Sequence, residues 1–517
     1  MTLRRRALLR AGLSGAALPF LRRPAFAARS DGPLAARGDG PLRFGLSSYP
    51  PSFNPWVQAG TAAGTVTLMT HRGLTSYDRT GALRGELADH WEHDGDAGWV
   101  FHLREASFHN GAPVTSEDVK WSLEQVAAEK STAYMRGQFQ GMDRVETPDP
   151  RTVRIVMKQP TATLPAWLAL YEMPVVARGS LDRTGTAVGC GPFAIASQDR
   201  GAGIKLAAFD RFYRPGLPKL KAVDVIVYAD ETARVAALQA GDVDLIEYVP
   251  WQSMAAIEAD PKLRLDATDG PVMYVVFNGA RGPFADPRVR QAVAHAVNRE
   301  EIVKSVFFGR GSPLEGLPIV PGSPFHDEAL SRAWTYDPAK AKQLLAAAGK
   351  PDGFSCTLLS TAQYGMHRDT AVVMQQNLAA VGIEVQLALP DWATRVALGN
   401  RGQYEFAVGG TVTDGNDPDG LAGLLDSSLG PSASRSYGLR LPRLEALLAA
   451  GRAEFDEEKR RAIYRDLQQE AVEGVPAAFL AWRSQGYAMS RDVQGFANMP
   501  GALTFFSGAT LEETSFG

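Results

Sequence analysis

LRGELADHWEHDGDAGWVFHLREASFHNGAPVTSEDVKWSLEQV, Leu83 to Val126, is the stretch whose reading decides the fold. Trp99, Phe101 and Leu103 alternate with Val100, His102 and Arg104, the period of a strand with one bulky apolar face, and Asp94-Gly95 ahead of it supplies a turn. His109-Asn110-Gly111 is a second turn. Beyond it Thr115 is placed to cap a helix through its hydroxyl. Asp118, three residues on, reaches back and complements the helix dipole. Val119, Trp121, Ser122 and Val126 follow at roughly helical spacing. The local physics gives hairpin, turn and capped helix, a unit found in many folds.

The same residues carry a resemblance. "LAD.W" (Leu87 to Trp91), "W.F.LR" (Trp99 to Arg104) and "F.NG.P.T.EDV..S.E" (Phe108 to Glu124) resemble the opening of the bacterial family 5 extracellular solute-binding proteins. These are the periplasmic components of peptide and nickel ABC importers. Gly189-Cys190-Gly191-Pro192-Phe193 is similar to the family's "GTGPF" turn, with cysteine in place of threonine. Leu238 to Leu245 is similar to its "L..G..D" step, and VRQAVAHAVNREEIVKSVFFGRG, Val289 to Gly311, is a second strong match. The resemblance implies an α/β, bilobal periplasmic-binding-protein fold (type II, Venus-flytrap-like) with an extra subdomain in the first lobe.

At 517 residues the chain is long for one hydrophobic core, and two or three domains are expected. Hydrophobic residues at 45% and charged residues at 21% are ordinary for a globular protein, which argues against disorder or a fibrous repeat. Residues 1–27 hold six arginines and no acid. Setting them aside leaves 48 basic residues (54 less six) against 57 acidic, a net charge of −9. No basic run remains, so no nucleic acid is expected as partner.

Those arginines belong to an export signal. Arg4, Arg5, Arg6 and Arg10 precede the apolar stretch Ala11 to Phe20, and Ala25-Phe26-Ala27 offers small residues where a signal peptidase reads. Ten apolar residues are too few to span a bilayer, which takes about 20. Arg5-Arg6-Ala7-Leu8-Leu9-Arg10 resembles a twin-arginine signal. With no cysteine near the cleavage point, the expectation is a soluble, periplasmic chain that starts near Ala28. Cys190 and Cys356 are too few for a disulfide framework and are not expected to meet.

Along the chain, Leu42, Phe44 and Leu46 read as a first strand that runs into Ser47-Ser48-Tyr49-Pro50-Pro51, a loop because no helix continues through two prolines. Tyr274 to Asn278 reads as a short apolar strand. It is followed by a helix with Asp286 as cap and Pro287 in its first turn, and by another capped by Asn298. From Cys356 the order is strand, helix, strand, helix, strand (Tyr404 to Val408), which implies a mainly parallel sheet with its ligand outside the strands' carboxyl ends. Ala477 to Trp482 reads as a return crossing. The expected division is one lobe of residues 28–275 with 482–517, carrying a subdomain at about 60–180, and a second of 276–481.

Enzyme signatures are missing: there is no GxSxG elbow, Walker loop, GxGxxG after a strand, or HExxH. His71, His90, His93, His102 and His109 crowd the first quarter, but their spacing suits surface or core histidines better than a metal site. Gly409 to Gly420 is the sharper candidate. Asp414, Asp417 and Asp419 among four glycines do not suit a core, since unpaired buried carboxylates are costly, although Asx turns alone would explain them. The resemblance implies that Asp414 faces the α-ammonium of a peptide and Arg368 its carboxylate, a bidentate role that suits guanidinium. It also implies that the loop at Tyr49 faces the ligand, with Thr411 where the peptide binders carry tryptophan. Ligand-binding residues are thus expected at Asp414, Arg368, Tyr49, Thr411 and Asp417, with no metal and no cofactor.

The expected function is capture of a small solute, a short peptide in the first reading, by a monomeric binding protein. It would pass the solute to the inner-membrane permease of an ABC transporter after hinge closure. A nickel chelate, an opine, a sugar or glutathione are the alternatives, and a secreted hydrolase is the remote one.

Overall fold

The hairpin read from the sequence is present in the computed structural model, which describes residues 40–57, 60–95 and 97–517. The leader expected over residues 1–27 lies outside them. Ala88–Asp94 pairs antiparallel with Gly98–Leu103, Trp91 opposite Phe101 and His93 opposite Trp99. Thr152–Met157 and Met142–Asp149 extend it to a four-stranded sheet. Trp99, Phe101 and Leu103 turn to the buried face, as their alternation requires. The helix Ser116–Ala127 begins in a capping box, with the Thr115 backbone N–H donating to the Asp118 carboxylate at 3.0 Å. It lays Val119, Leu123 and Val126 into the same core as Phe101, Val153 and Ile155. Each such side chain contributes about 1.5–3 kcal/mol through burial, so Phe101→Ala alone would cost about 3–5 kcal/mol.

A second, larger sheet joins eleven strands among the described residues. Its order is Ile383–Ala388, Phe354–Leu359, Phe406–Thr411, Leu263–Phe277, Ala477–Ser490, Leu245–Ile246, Leu42–Leu46, Ala222–Val227, Gly203–Ala208 and Phe193–Asp199, with Gly311–Pro313 also on Ala477–Ser490. The parallel pairing expected from Cys356 onward is present, with Phe354–Leu359 running parallel to both Ile383–Ala388 and Phe406–Thr411, within a sheet that is mixed as a whole. Pairing is parallel where strands alternate with helices, as between Leu42–Leu46 and Ala222–Val227 or between Phe354–Leu359 and Ile383–Ala388. At the centre Leu263–Phe277 and Ala477–Ser490 run antiparallel. A chain that leaves one body and returns beside its outgoing strand traverses the junction in the opposite sense.

The junction is marked by a break in that central ladder. Pairing runs from Leu263 opposite Ser490 to Asp269 opposite Ser484, stops over Gly270-Pro271, and resumes with Val272 opposite Trp482. Proline has no N–H for the ladder, and a Cβ on Gly270 would collide with the Gly501 carbonyl, so the pair cannot continue as a regular strand. The hydrophobic core changes at the same place. Every buried member of the largest cluster lies between Val272 and Trp482, whereas the other clusters draw on residues between Leu42 and Leu263 or between Tyr487 and Leu511. We call these the second and first bodies.

Near the C-terminus a buried 3-10 segment, Gly501–Glu513, packs on the helix Thr61–Thr70 and is locked by charge. Glu512 and Glu86, both buried, share Arg72 and Arg214, with Arg72 at 2.8 Å from Glu512 and Arg214 at 2.6 Å from Glu86. Cys190 and Cys356 are free and sit in different cores, and burial pushes both thiols up to about 12.

Candidate functional site

The strand Phe406–Thr411 of the second body delivers the aspartate-rich loop to the junction, where its three carboxylates do three different things. Asp417 stays at home, bound by both Nη1 and Nη2 of Arg460 at 2.7 Å. Asp419 is buried and crosses the junction. It takes bonds from Thr163 Oγ1 and Trp167 Nε1 of the first body at 3.1 Å each, while Arg452 of its own body holds the carboxylate at 2.9 Å. Asn416 crosses as well, donating to the Pro500 carbonyl and accepting from the Ala502 N–H. Gly415 makes the tight turn between them at φ +87, a value only glycine adopts without strain.

Asp414 faces the space between the bodies and, unlike Asp417 and Asp419, has no arginine on its carboxylate among the described residues. Tyr134 Oη of the first body donates to its Oδ1 at 2.7 Å. Beside it stands Glu172, buried in the first body and pushed up to about 8 by burial and then by the Asp414 charge. Burial raises Asp414 too, against the lowering effect of the Tyr134 hydroxyl. Among the described residues neither carboxylate has a lysine, arginine or histidine partner. Asp414, Asp419 and Trp167 line a cavity of about 640 Å³ between the bodies, in the size range of small-ligand sites.

A second cavity of about 530 Å³ opens between the bodies around Arg483, with Tyr248 and Trp251 from the first body and Tyr364, Met366 and Phe308 from the second. Tyr248 holds a φ of +50, a rare conformation for a bulky residue and one that clusters at functional sites. The two regions are joined by the C-terminal 3-10 segment. Phe506 packs on Tyr171, next to Glu172, at a centroid distance of 5.1 Å, and Phe505 stacks on Tyr248 at 5.8 Å.

The structure therefore brings Asp414 and Asp417 to the cavity at the junction, Asp417 already paired with Arg460, and places the other expected residues elsewhere. Arg368 is half-exposed on the helix Gly365–Ala379, its Nε 2.7 Å from Asp369, because its side chain leaves the helix on the solvent side. Tyr49 covers the first body, edge-on to Phe53, and donates to Gln198 at 3.2 Å. Thr411 ends its strand opposite Val272, with its hydroxyl on the Val412 carbonyl. Asp417 is an anchor for the loop, as described above. Of the histidines, His90 and His102 stack on the outer face of the hairpin, while His71 is buried and lowered to about 3 by that burial. Among the described residues no three His, Cys, Asp or Glu side chains cluster as metal ligands, and no helix is long and apolar enough to cross a membrane.

Tyr134, Glu172, Tyr248 and Arg483 are the residues that sequence reasoning missed. For Arg483 a signal exists. It is the one charge inside AAFLAWRSQGYAMS, Ala477 to Ser490, and a charge within a strand that is otherwise uniformly apolar or neutral calls for a partner. For Glu172 none exists, since its neighbour Asp414 is far away in sequence.

A sequence model of the bacterial extracellular solute-binding proteins, family 5 (middle part), matches residues 82–432. The glutathione-binding protein GsiB of Pectobacterium atrosepticum is 28% identical over 529 aligned residues, which cover 99% of each chain. Among solved structures, the periplasmic binding protein AgaA of Agrobacterium tumefaciens R10, in complex with agropinic acid, is 40% identical, with a TM-score of 0.82 over 92% of this chain and 99% of that one. DppA of Helicobacter pylori, in complex with the peptide STSA, superposes with a TM-score of 0.79 at 23% identity, over 93% of this chain and 99% of that one.

Proposed function

Because the chain belongs to the family 5 bacterial extracellular solute-binding proteins and has their bilobal α/β fold, we propose that it captures a small amine-bearing solute between its two lobes, a short peptide in the first reading. It then hands that solute to the inner-membrane permease of an ABC importer. The lobes are residues 28–275 with 482–517, the first carrying a subdomain at about 60–180, and 276–481. The shift of the hydrophobic core at Val272 and Trp482 supports that division. The protein acts as a soluble periplasmic monomer after cleavage of a twin-arginine-like signal near Ala28. It is a binding protein rather than an enzyme, as its named relatives are.

One observation carries the ligand reading: Asp414 faces the junction beside buried Glu172, and among the described residues neither forms an ion pair with a lysine, arginine or histidine. A ligand ammonium is the complement of such a pair. Hinge closure follows from contacts that a bound solute makes to both lobes at once, which favour the closed form by the difference in its affinity for the two states. Mass spectrometry of whatever co-purifies with the exported protein, followed by calorimetry with that compound, tests the reading. A bound compound with no amino group, held with undiminished affinity by Asp414→Asn, would refute the peptide assignment.

A second reading is favoured by the 40% identity to AgaA, far above the 23% to the peptide-bound DppA. On that reading the solute is an opine. Agropinic acid in the same calorimeter separates the two.

A further inference from the structure

Arg483 differs from the other buried arginines described. Arg72 is neutralised by Glu86 and Glu512, Arg234 donates to three backbone carbonyls at 2.7–3.0 Å, and Arg299 holds the Leu314, Ala294 and Trp334 carbonyls at 2.8 Å. Arg290, Arg395 and Arg435 likewise hold carbonyls. Arg483 is only 5% exposed, yet its Nε has no acceptor and the Tyr248 hydroxyl is its side-chain partner. Burial without a nearby carboxylate lowers its pKa, as it does for Arg290, Arg299 and Arg395, but those three are held by backbone carbonyls.

Its position makes this more than a packing fault. Arg483 lies in the gap of the central ladder, between Trp482 opposite Val272 and Ser484 opposite Asp269, where the chain passes from one body to the other. The cavity it lines has walls from both bodies. The helix Gly365–Ala379 begins in that wall. Tyr364 at its N-cap makes no side-chain cap, so the first N–H groups, at Gly365 and Met366, present the positive end of the helix dipole to the same space. Of the two acids lining the cavity, Asp369 is neutralised by Arg368 and Glu231 sits in the first turn of its own helix.

We infer that Arg483, helped by the N-terminal N–H groups of Gly365–Ala379, is the seat of a ligand carboxylate, so that this protein selects carboxylic acids and holds their anionic end at the hinge. The inference rests on the binding-protein reading above and goes beyond it by assigning the acid-reading residue to the crossing strand rather than to Arg368. A ligand anchored there touches the strand about which the lobes turn and both walls of the cavity, which ties occupancy to closure.

Calorimetry on the full mature chain tests it, with alanyl-leucine, glutathione, their C-terminal amides, and agropinic acid as probes. The unmutated protein is expected to bind at least one acid and to bind a matching amide at least about 30-fold more weakly. Arg483→Gln is expected to lose about 30-fold to several thousand-fold toward the acid and nothing further on amidation, the range for removing one partner of a buried charge pair. Arg368→Gln, which breaks an exposed pair, is expected to bind within about threefold of the unmutated protein. Arg483→Lys keeps the charge without the planar fork, gives an intermediate loss, and serves if the glutamine variant does not fold. Equal binding of acid and amide, an unimpaired Arg483→Gln, or a loss that appears in Arg368→Gln instead would overturn the inference and leave the binding function standing. Failure of all three acids to bind would overturn the inference, and the compound that co-purifies with the exported protein then decides the binding function separately.

Discussion

The Tyr134 hydroxyl donates to the Asp414 carboxylate at 2.7 Å across the junction between the two bodies, so each body completes the other's half of the acidic end of the cleft. Asp414→Asn keeps the shape and removes the charge. It is expected to weaken binding of a free-amine ligand by about 2–5 kcal/mol, with no further loss when the amine is acetylated. Tyr134→Phe removes one hydrogen bond and should cost about 0.5–1.5 kcal/mol. Calorimetry with free and N-acetylated ligand checks both. An acetylated ligand bound by the unmutated protein as well as the free amine would refute the role of Asp414.

Glu172 predicts a proton linkage. Its folded pKa is raised to about 8 from an ordinary 4.5, so the folded protein holds a proton that the unfolded chain gives up. Its contribution to stability is therefore full below pH 4.5 and is lost as pH rises toward 8. A ligand ammonium favours the ionised form and expels that proton. Binding between pH 5 and 7 should thus release protons and tighten as pH rises. Calorimetry in buffers of different ionisation enthalpy measures the release, which should vanish in Glu172→Gln. Equal proton release by the variant and the unmutated protein would exclude Glu172 as its source.

The ion-pair cluster of Arg72, Arg84, Arg214, Glu86 and Glu512 anchors the C-terminal segment that packs Phe506 on Tyr171 and Phe505 on Tyr248. Glu512→Gln leaves the guanidinium groups of Arg72, Arg84 and Arg214 to share one carboxylate and is expected to destabilise the fold by about 3–5 kcal/mol. Urea unfolding followed by tryptophan fluorescence measures it. Arg144→Gln, which breaks an exposed pair on the outer sheet, should leave the unfolding midpoint unchanged.

Asp419 is the clasp. It binds Thr163 and Trp167 of the first body while Arg452 of the second neutralises it. Phe455 adds a ring contact to His93 at 3.8 Å across the same junction. Asp419→Ala should shift the ligand-free protein toward an open form, raising its radius of gyration in small-angle scattering. The ligand then closes the lobes at a greater cost and binds more weakly. An unchanged scattering curve and affinity would show that closure does not depend on this contact.

Much of the fold was legible because its cues are local. The alternation of Trp99, Phe101 and Leu103, the Thr115–Asp118 box and the Asp286-Pro287 helix start each lie within a few residues, where backbone sterics and short hydrogen bonds act without reference to distant chain. The length of the crossing strands was not legible. Leu263–Phe277 reads as a short strand at Tyr274 because its first half, with Asp266, Thr268 and Asp269, is polar enough to pass for loop. Its pairing with Ala477–Ser490 is what makes it a strand.

The division between the two kinds of knowledge falls along sequence separation. By itself the sequence determined the hairpin, the capped helices, the alternation of strands with helices in the second body and the aspartate-rich loop as a place for carboxylates. All of these follow from residue type and spacing. Only the tertiary structure decided that Asp414 lines the cleft without an arginine, that Glu172 stands beside it, that Arg460 claims Asp417, and that Arg483, unlike Arg368, is buried with no carboxylate paired to it. A charge is free or taken according to what the rest of the chain brings within a few ångströms of it, and at separations of tens to hundreds of residues no local pattern encodes that.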